Sequence, residues 1–239
     1  AEVPAGRYRA QWNDDYHHAW HVLLTGETRG YYVDYETDPV RGIARALQDG
    51  FVYQGEASRH RGGSARGEPS TDLPPSAFVN FFQNHDQIGN RAFNERLTRL
   101  AEPRAIQAAL AVTLLAPSPP LLFMGEEWGT TQPFPYFCDF DGDLAEAVRR
   151  GRRDEFSAHF AGLAATEGPD PLAGSTMRSA ILDWDARARE PHTARLKLIT
   201  SLLGIRRTHV VPMLARIDVA PRSAACEGRV IVARWGEAS

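Results

Sequence analysis

Ala77-Phe78-Val79-Asn80-Phe81-Phe82-Gln83-Asn84-His85-Asp86-Gln87-Ile88-Gly89-Asn90-Arg91 joins an apolar, aromatic run to a His-Asp pair. The run from Ala77 to Phe82 reads as a buried strand, because its residues are those that pack well on a pleated surface. It delivers His85 and Asp86 to its C-terminal end, where barrel enzymes keep their chemistry. A carboxylate beside an imidazole in such a place suits work on a sugar, where charge develops on the ring carbon and several hydroxyls need fixed partners. Taken alone, the string reads equally as a strand end that carries polar residues, since short strings recur by chance.

Outward from this strand the chain alternates between element types. Tyr8 to Trp12 reads as a short strand, Asp14-Asp15 as caps of a helix from about Tyr16 to Leu24, and Thr25-Gly26-Glu27 as its break. Asp38-Pro39 forms an N-cap and first-turn pair for a second helix, which Gly50 stops. From Gly55 to Pro75 the chain is polar, with Gly, Ser, Arg and Pro, and a long irregular excursion is expected there. Beyond the His-Asp pair come an apolar-periodic helix from Arg104 to Leu115, ended by Pro117, and a second buried strand from Pro120 to Met124, closed by Gly125. Leu144 to Phe160 reads as a basic helix and Ala194 to Arg207 as the last clear one. Met213 to Val219 and Arg229 to Trp235 alternate like strands, with Ala220 to Gly228 as the connecting loop. Strand, helix, strand, helix, strand is the order that a parallel layer requires, so the fold class is α/β.

Composition narrows the partner. The 239 residues suffice for one α/β barrel or one or two smaller domains. Acidic and basic residues nearly balance, with a formal charge of -3, so there is no electrostatic case for nucleic acid or an anionic membrane, and a neutral molecule is the expected partner. Cys138 and Cys226 lie far apart without metal-like spacing. They imply neither a disulfide framework nor a zinc site, and a reducing, cytoplasmic compartment is the simpler expectation. No apolar run approaches the roughly 18 residues of a membrane span. No cofactor is expected.

The stretch Asn84-His85-Asp86-Gln87-Ile88-Gly89-Asn90-Arg91 resembles the fourth sequence region of the α-amylase superfamily of glycoside hydrolases, an apolar strand followed by Asn-His-Asp. It is most similar to the superfamily's trehalohydrolases that act on malto-oligosyltrehalose. Gln11-Trp12-Asn13-Asp14-Asp15-Tyr16-His17-His18 with His21 and Leu24-Thr25-Gly26-Glu27, Pro120 to Gly129, and Phe137-Cys138-Asp139-Phe140 agree with the same pattern, in order. The resemblance implies the sixth to eighth strands of a TIM-type (β/α)8 barrel over residues 1–208. The start of a C-terminal β-sandwich would follow over 209–239. A whole barrel plus β-sandwich does not fit in this length, so the chain is expected to be the C-terminal part of such an enzyme.

Retaining hydrolysis of a glycosidic bond needs a nucleophilic carboxylate and a second carboxyl that acts as acid and then base. The resemblance adds a third carboxylate, assigned to Asp86, which stabilises the transition state; His85, Gln87, Asn90 and Arg91 would hold the same substrate. No Arg-x-Asp match to the family's nucleophile precedes Trp12. Ala1-Glu2 invites assignment as the acid, but it lies too close to Trp12, so both residues are expected to be missing from this chain. Asp14, Asp15, His18 and His21 would hydrogen-bond sugar hydroxyls, with Trp12 as a stacking face. Two other readings of that segment stay open: a capped helix with polar residues, and a metal site, since His17 and His21 share one helix face. Glu126-Glu127 would read as an acid and base without the resemblance, which makes it a largely structural turn. Trp128, Phe134, Tyr136 and Phe137 line sugar subsites or pack in the core. The substrate implied is malto-oligosyltrehalose or another malto-oligosaccharide. The alternatives are another α-glucan hydrolase or branching enzyme, or an inert oligosaccharide-binding fragment.

Overall fold

A computed structural model describes residues 8–160, 168–228 and 230–236, leaving aside the side chains of 157–160. Glu2 and Arg229 lie outside the described residues. In chain order the strands and α-helices are β1 (Gln11–Trp12), α1 (Asp14–Thr25), α2 (Pro39–Asp49), β2 (Gln54–Ala57), β3 (Ala65–Gly67), β4 (Phe78–Val79), α3 (His85–Gly89), α4 (Leu97–Leu100) and α5 (Pro103–Leu115). Then follow α6 (Gly142–Phe160), α7 (Gly174–Ser179), α8 (His192–Ile205), α9 (Leu214–Ile217), β5 (Arg222–Glu227) and β6 (Val230–Trp235). The chain divides into two compact units. The first takes the residues up to Phe82, Ala101–Leu122 and those from Lys197 onward; the second takes Gln83–Leu100 and Phe123–Leu196.

The first unit is organised by a parallel pairing. β1 and β4 run in the same direction, with Gln11 opposite Phe78 and Trp12 opposite Val79, and Asn80 bridges Pro120 in the same sense. The strands therefore end together, with Trp12 and Asn13 at the C-terminal end of β1 and the segment leading to Asn84 beyond the end of β4. Asn13 ties this end together. Fully buried, it donates from Nδ2 to Gly50 O and Asn80 Oδ1, both at 2.9 Å, while its Oδ1 accepts from Tyr16 N at 3.1 Å. Asn13, not Asp14-Asp15, is thus the N-cap of α1. The two acids occupy its first turn, where carboxylates complement the helix dipole.

The second helix begins and ends as its sequence implies, with Asp38 accepting from Arg41 N at 2.9 Å and Gly50 at the C-cap. Gly50 has φ +90°, and a Cβ there would stand 2.1 Å from the Phe78 ring, so no side chain is tolerated. Tyr16, Ala19, Ile43, Ala46, Phe78, Phe81, Leu110 and Leu114 form the buried apolar centre.

Four expectations are corrected. The strands at Ala77 to Phe82 and Pro120 to Met124 shrink to Phe78–Val79 and a single bridge. Pro119 and Pro120 carry no N–H to extend a ladder, and the Phe82 carbonyl accepts from His17 Nδ1. Residues 55–75 are not wholly irregular: β2 and β3 pair as an antiparallel hairpin with a register shift between Gln54 and Glu56. Met213 to Val219 is helical, through a 3-10 turn at Val211–Met213 and then α9. Leu214, Ala215 and Arg216 favour helix, and the apparent alternation set aside the i, i+3 pair Leu214 and Ile217. The hairpin there is instead β5 with β6, Arg222 opposite Trp235, so Ala220 to Gly228 is not a loop. Trp235 Nε1 donates to Leu47 O at 3.2 Å and Ala224 N to Gln48 Oε1 at 2.6 Å, which seats the hairpin on α2. Among the described residues the sheets have two strands each and no barrel is closed, and no helix is long and apolar enough to cross a membrane.

Candidate functional site

The first unit gathers Trp12, Asp14 and Asp15 at the shared C-terminal end of β1 and β4. Trp12 is 42% exposed, its ring centroid 5.8 Å from that of Phe81 in an edge-on arrangement, and Asp14 is exposed. Both line a cleft of about 530 Å³ whose other walls include Tyr53, Arg61, Arg66 and Glu68. Asp15 is different. Its Oδ2 accepts from Val52 N at 2.7 Å and Tyr53 N at 2.9 Å, and its Oδ1 from the Tyr35 hydroxyl and from Arg66 Nη2 at 2.7 Å. Both oxygens of this buried carboxylate are engaged within the protein, so it shapes the cleft wall.

His17, His18 and His21 lie beneath that surface, each at most 6% exposed. His17 bonds the Phe82 carbonyl through Nδ1, and its Nε2 is 3.0 Å from the Tyr32 hydroxyl. His21 Nε2 is 2.7 Å from Glu27. Burial, then the charges of His17, Arg66 and His21, hold His18 well below the ordinary imidazole range, so it is neutral at pH 7. Among the described residues no three His, Cys, Asp or Glu side chains converge as metal ligands. Stacking of His21 on Tyr32, with centroids 4.3 Å apart, and the buried hydrogen bonds make this layer a polar and aromatic floor.

The second unit carries the His-Asp pair. Asn84 is the N-cap of α3, its Oδ1 accepting from Asp86 N at 2.8 Å and Gln87 N at 3.3 Å. His85 and Asp86 stand exposed, Nε2 to Oδ1 3.2 Å. Asn90 Oδ1 accepts from Arg152 Nη1 at 3.3 Å, and Arg91 pairs with Glu95 at 3.3 Å. The segment is stapled by Asn94, whose Nδ2 donates to the carbonyls of Ile88, Gly89 and Arg91 at 2.9–3.3 Å. Asn94 escaped the sequence reading; its φ of +56°, tolerated best by Asn, leaves only a faint signal. Trp128 is buried against Trp184 and belongs to the core, while half-buried Phe134 packs on Phe123. Tyr136, with Arg152 over its ring at 5.3 Å, lines a smaller cavity of about 200 Å³.

Glu126 is buried, only 2% exposed, and Glu127 half-buried. Burial pushes the Glu126 carboxyl up to about 7 from 4.5, partly offset by the Phe123 amide, Gln83, Arg195 and Arg96. Because the folded value lies above the unfolded one, the stability from protonated Glu126 is full below pH 4.5 and is lost as pH rises through 7. Glu126→Gln should therefore stabilise the protein at pH 8 by roughly 2–3 kcal/mol and be nearly neutral at pH 4. Urea unfolding at the two pH values checks this; equal effects at both would show that the carboxyl is ionised throughout.

No family model matches the chain. Seven curated relatives match, each named malto-oligosyltrehalose trehalohydrolase. The Deinococcus radiodurans protein is 40% identical over 82% of this chain and 32% of its own length. The Rhizobium sp. protein is 39% identical over 88% of this chain and 35% of its own. A solved structure of a candidate α-amylase from Salmonella typhimurium aligns with TM-score 0.89 and 44% identity, covering 98% of this chain and 40% of that one. The chain thus spans about a third of the length of the curated relatives it matches. Its fold is that of a portion of an α-amylase-type structure, and its sequence corresponds to one part of the malto-oligosyltrehalose trehalohydrolases.

Proposed function

We propose that this chain is the C-terminal part of the catalytic (β/α)8 barrel of a malto-oligosyltrehalose trehalohydrolase, residues 1–208, with the beginning of a C-terminal β-domain in 209–239. The reaction is hydrolysis of the α-1,4 link next to the trehalose end of malto-oligosyltrehalose, releasing trehalose. The observation that carries the reading is that the curated relatives share one name at 34–40% identity. Asp86 stabilises positive charge on the sugar ring in the transition state, with His85, Gln87, Asn90 and Arg91 against the same substrate. Trp12 and Asp14 meet sugar in the cleft; Asp15, His18 and His21 support that wall from beneath. The nucleophile and the general acid come from sequence outside this chain, no cofactor takes part, and the compartment is the cytoplasm.

The test is product analysis on maltosyltrehalose. Residues 1–239 alone are expected to release no trehalose, because two carboxyls flanking the bond are required; a longer protein that supplies both should release it. Maltose from starch, without trehalose, would favour instead the general α-glucan hydrolase suggested by the α-amylase neighbour. Hydrolysis by the 239 residues alone would show that the carboxylates have been misplaced.

A further inference from the structure

A two-stranded hairpin is marginal by itself, so something must hold β2 and β3 in place. The fastening is built around Arg66 on β3. Its Nη2 donates to Asp15 Oδ1 at 2.7 Å and its Nη1 to Asp34 Oδ2 at 3.2 Å, with the side chain only 17% exposed. The guanidinium also lies over Tyr53, 4.8 Å from its centroid, and over Tyr35 at 5.6 Å. Burial opposes its charge, but Tyr35, Asp15 and Asp34 outweigh that and raise its pKa above the ordinary value.

The two carboxylates grip the segment at different points. Asp15 takes the amides of Val52 and Tyr53, where the chain enters the hairpin. Asp34 takes the Ser58 hydroxyl at 2.7 Å and the His60 amide at 2.9 Å, beyond the end of β2. Burial would raise the Asp34 pKa, yet these donors and Arg66 hold it below the usual carboxylate range. Gly67, at φ +80°, brings the return strand so close that a Cβ would stand 2.0 Å from Tyr53 O. Asp15 follows Asp14 directly and Trp12 by three residues, so the grip fixes the hairpin side of the cleft against the side that carries them.

Resting on the reading of the cleft as an oligosaccharide site, we propose that Arg66 is a positioning residue for it: by bridging Asp15 and Asp34 it holds the hairpin Gln54–Gly67 as a preformed wall opposite Trp12 and Asp14. A planar fork that donates to two carboxylates while stacking on two rings is a task for Arg; a lysine ammonium is a point donor with no face. A preformed wall spares the ordering cost at binding, so its loss reads out in affinity before chemistry.

The test uses Arg66→Lys and Asp34→Ala in the full protein that carries this sequence, with amide hydrogen exchange and steady-state kinetics on maltosyltrehalose. Arg66→Lys is expected to speed exchange at Val52, Tyr53 and His60, and to raise KM about tenfold with kcat changed less than about twofold. Asp34→Ala, which removes the acceptor of the His60 amide, should free His60 and leave Val52 and Tyr53 protected, which a general loss of stability would not do. Unchanged exchange in Arg66→Lys, or faster exchange with unaltered KM, would overturn the proposal. If the unmutated protein released no trehalose while these amides still depended on Arg66, the function would be misread and the fastening would stand.

Discussion

Asp86→Asn in the longer enzyme is expected to lower kcat by roughly a thousandfold, with KM changed only severalfold. The substitution keeps the shape of an exposed side chain 3.2 Å from His85 and removes its charge. A positively charged ring carbon exists in the transition state and not in the bound substrate, so the interaction proposed for Asp86 is one that only the transition state makes. Asn84 caps α3 through the Asp86 amide, which the mutation leaves in place, so the fold should not suffer. Turnover of maltosyltrehalose by wild type and variant decides the matter. A loss of less than about tenfold would move the stabilising role elsewhere, with half-buried Glu127 the first candidate and buried Glu126 a poor one.

Arg206→Met should destabilise the first unit by about 3–5 kcal/mol. Arg206 is 7% exposed and donates to four carbonyls. Nη1 reaches Leu114 O at 3.1 Å and also Ala116 O; Nη2 reaches Pro117 O and Ser118 O, both at 3.0 Å. These carbonyls close α5 and the turn after it, the negative end of a helix dipole, where a cation is favoured. Burial pulls the Arg206 pKa down, and the cluster of carbonyl dipoles is what compensates the desolvated charge. Methionine fills similar space but leaves the four acceptors without a donor. Denaturant unfolding would measure the loss; a value below about 1 kcal/mol would mean that solvent reaches these carbonyls in the variant.

What could be read from the sequence was whatever a few neighbouring residues decide among themselves. Asp38-Pro39 and Gly50 bound α2 as expected because a cap and a left-handed stop are local chemistry. The parallel sense of β1 and β4 was legible from the order of elements, whereas the short helix that Asn84 caps was not, because the string read only as the polar end of a strand. Partners distant in sequence were not legible. Asp15 reads as a sugar ligand until Arg66, 51 residues away, is seen to occupy it. His18 and His21 read as exposed donors until Tyr32 and Tyr35 are seen to cover them. Met213 to Val219 read as a strand because alternation over seven residues cannot distinguish β from a short helix anchored by a remote contact, here Asp218 to the Ser76 hydroxyl at 2.7 Å.

The four carbonyls held by Arg206 also set an order of events as the chain is made. The guanidinium that satisfies Leu114 to Ser118 lies 88–92 residues downstream of them. At a ribosomal pace of roughly 5–20 residues per second, that is about 4–18 seconds of waiting. All of Gln83–Leu100 and Phe123–Leu196 emerges within or before that interval. The second unit therefore has its complete sequence before the first unit can close, and during that wait the carbonyls at the C-terminal end of α5 lack the donor that satisfies them in the fold.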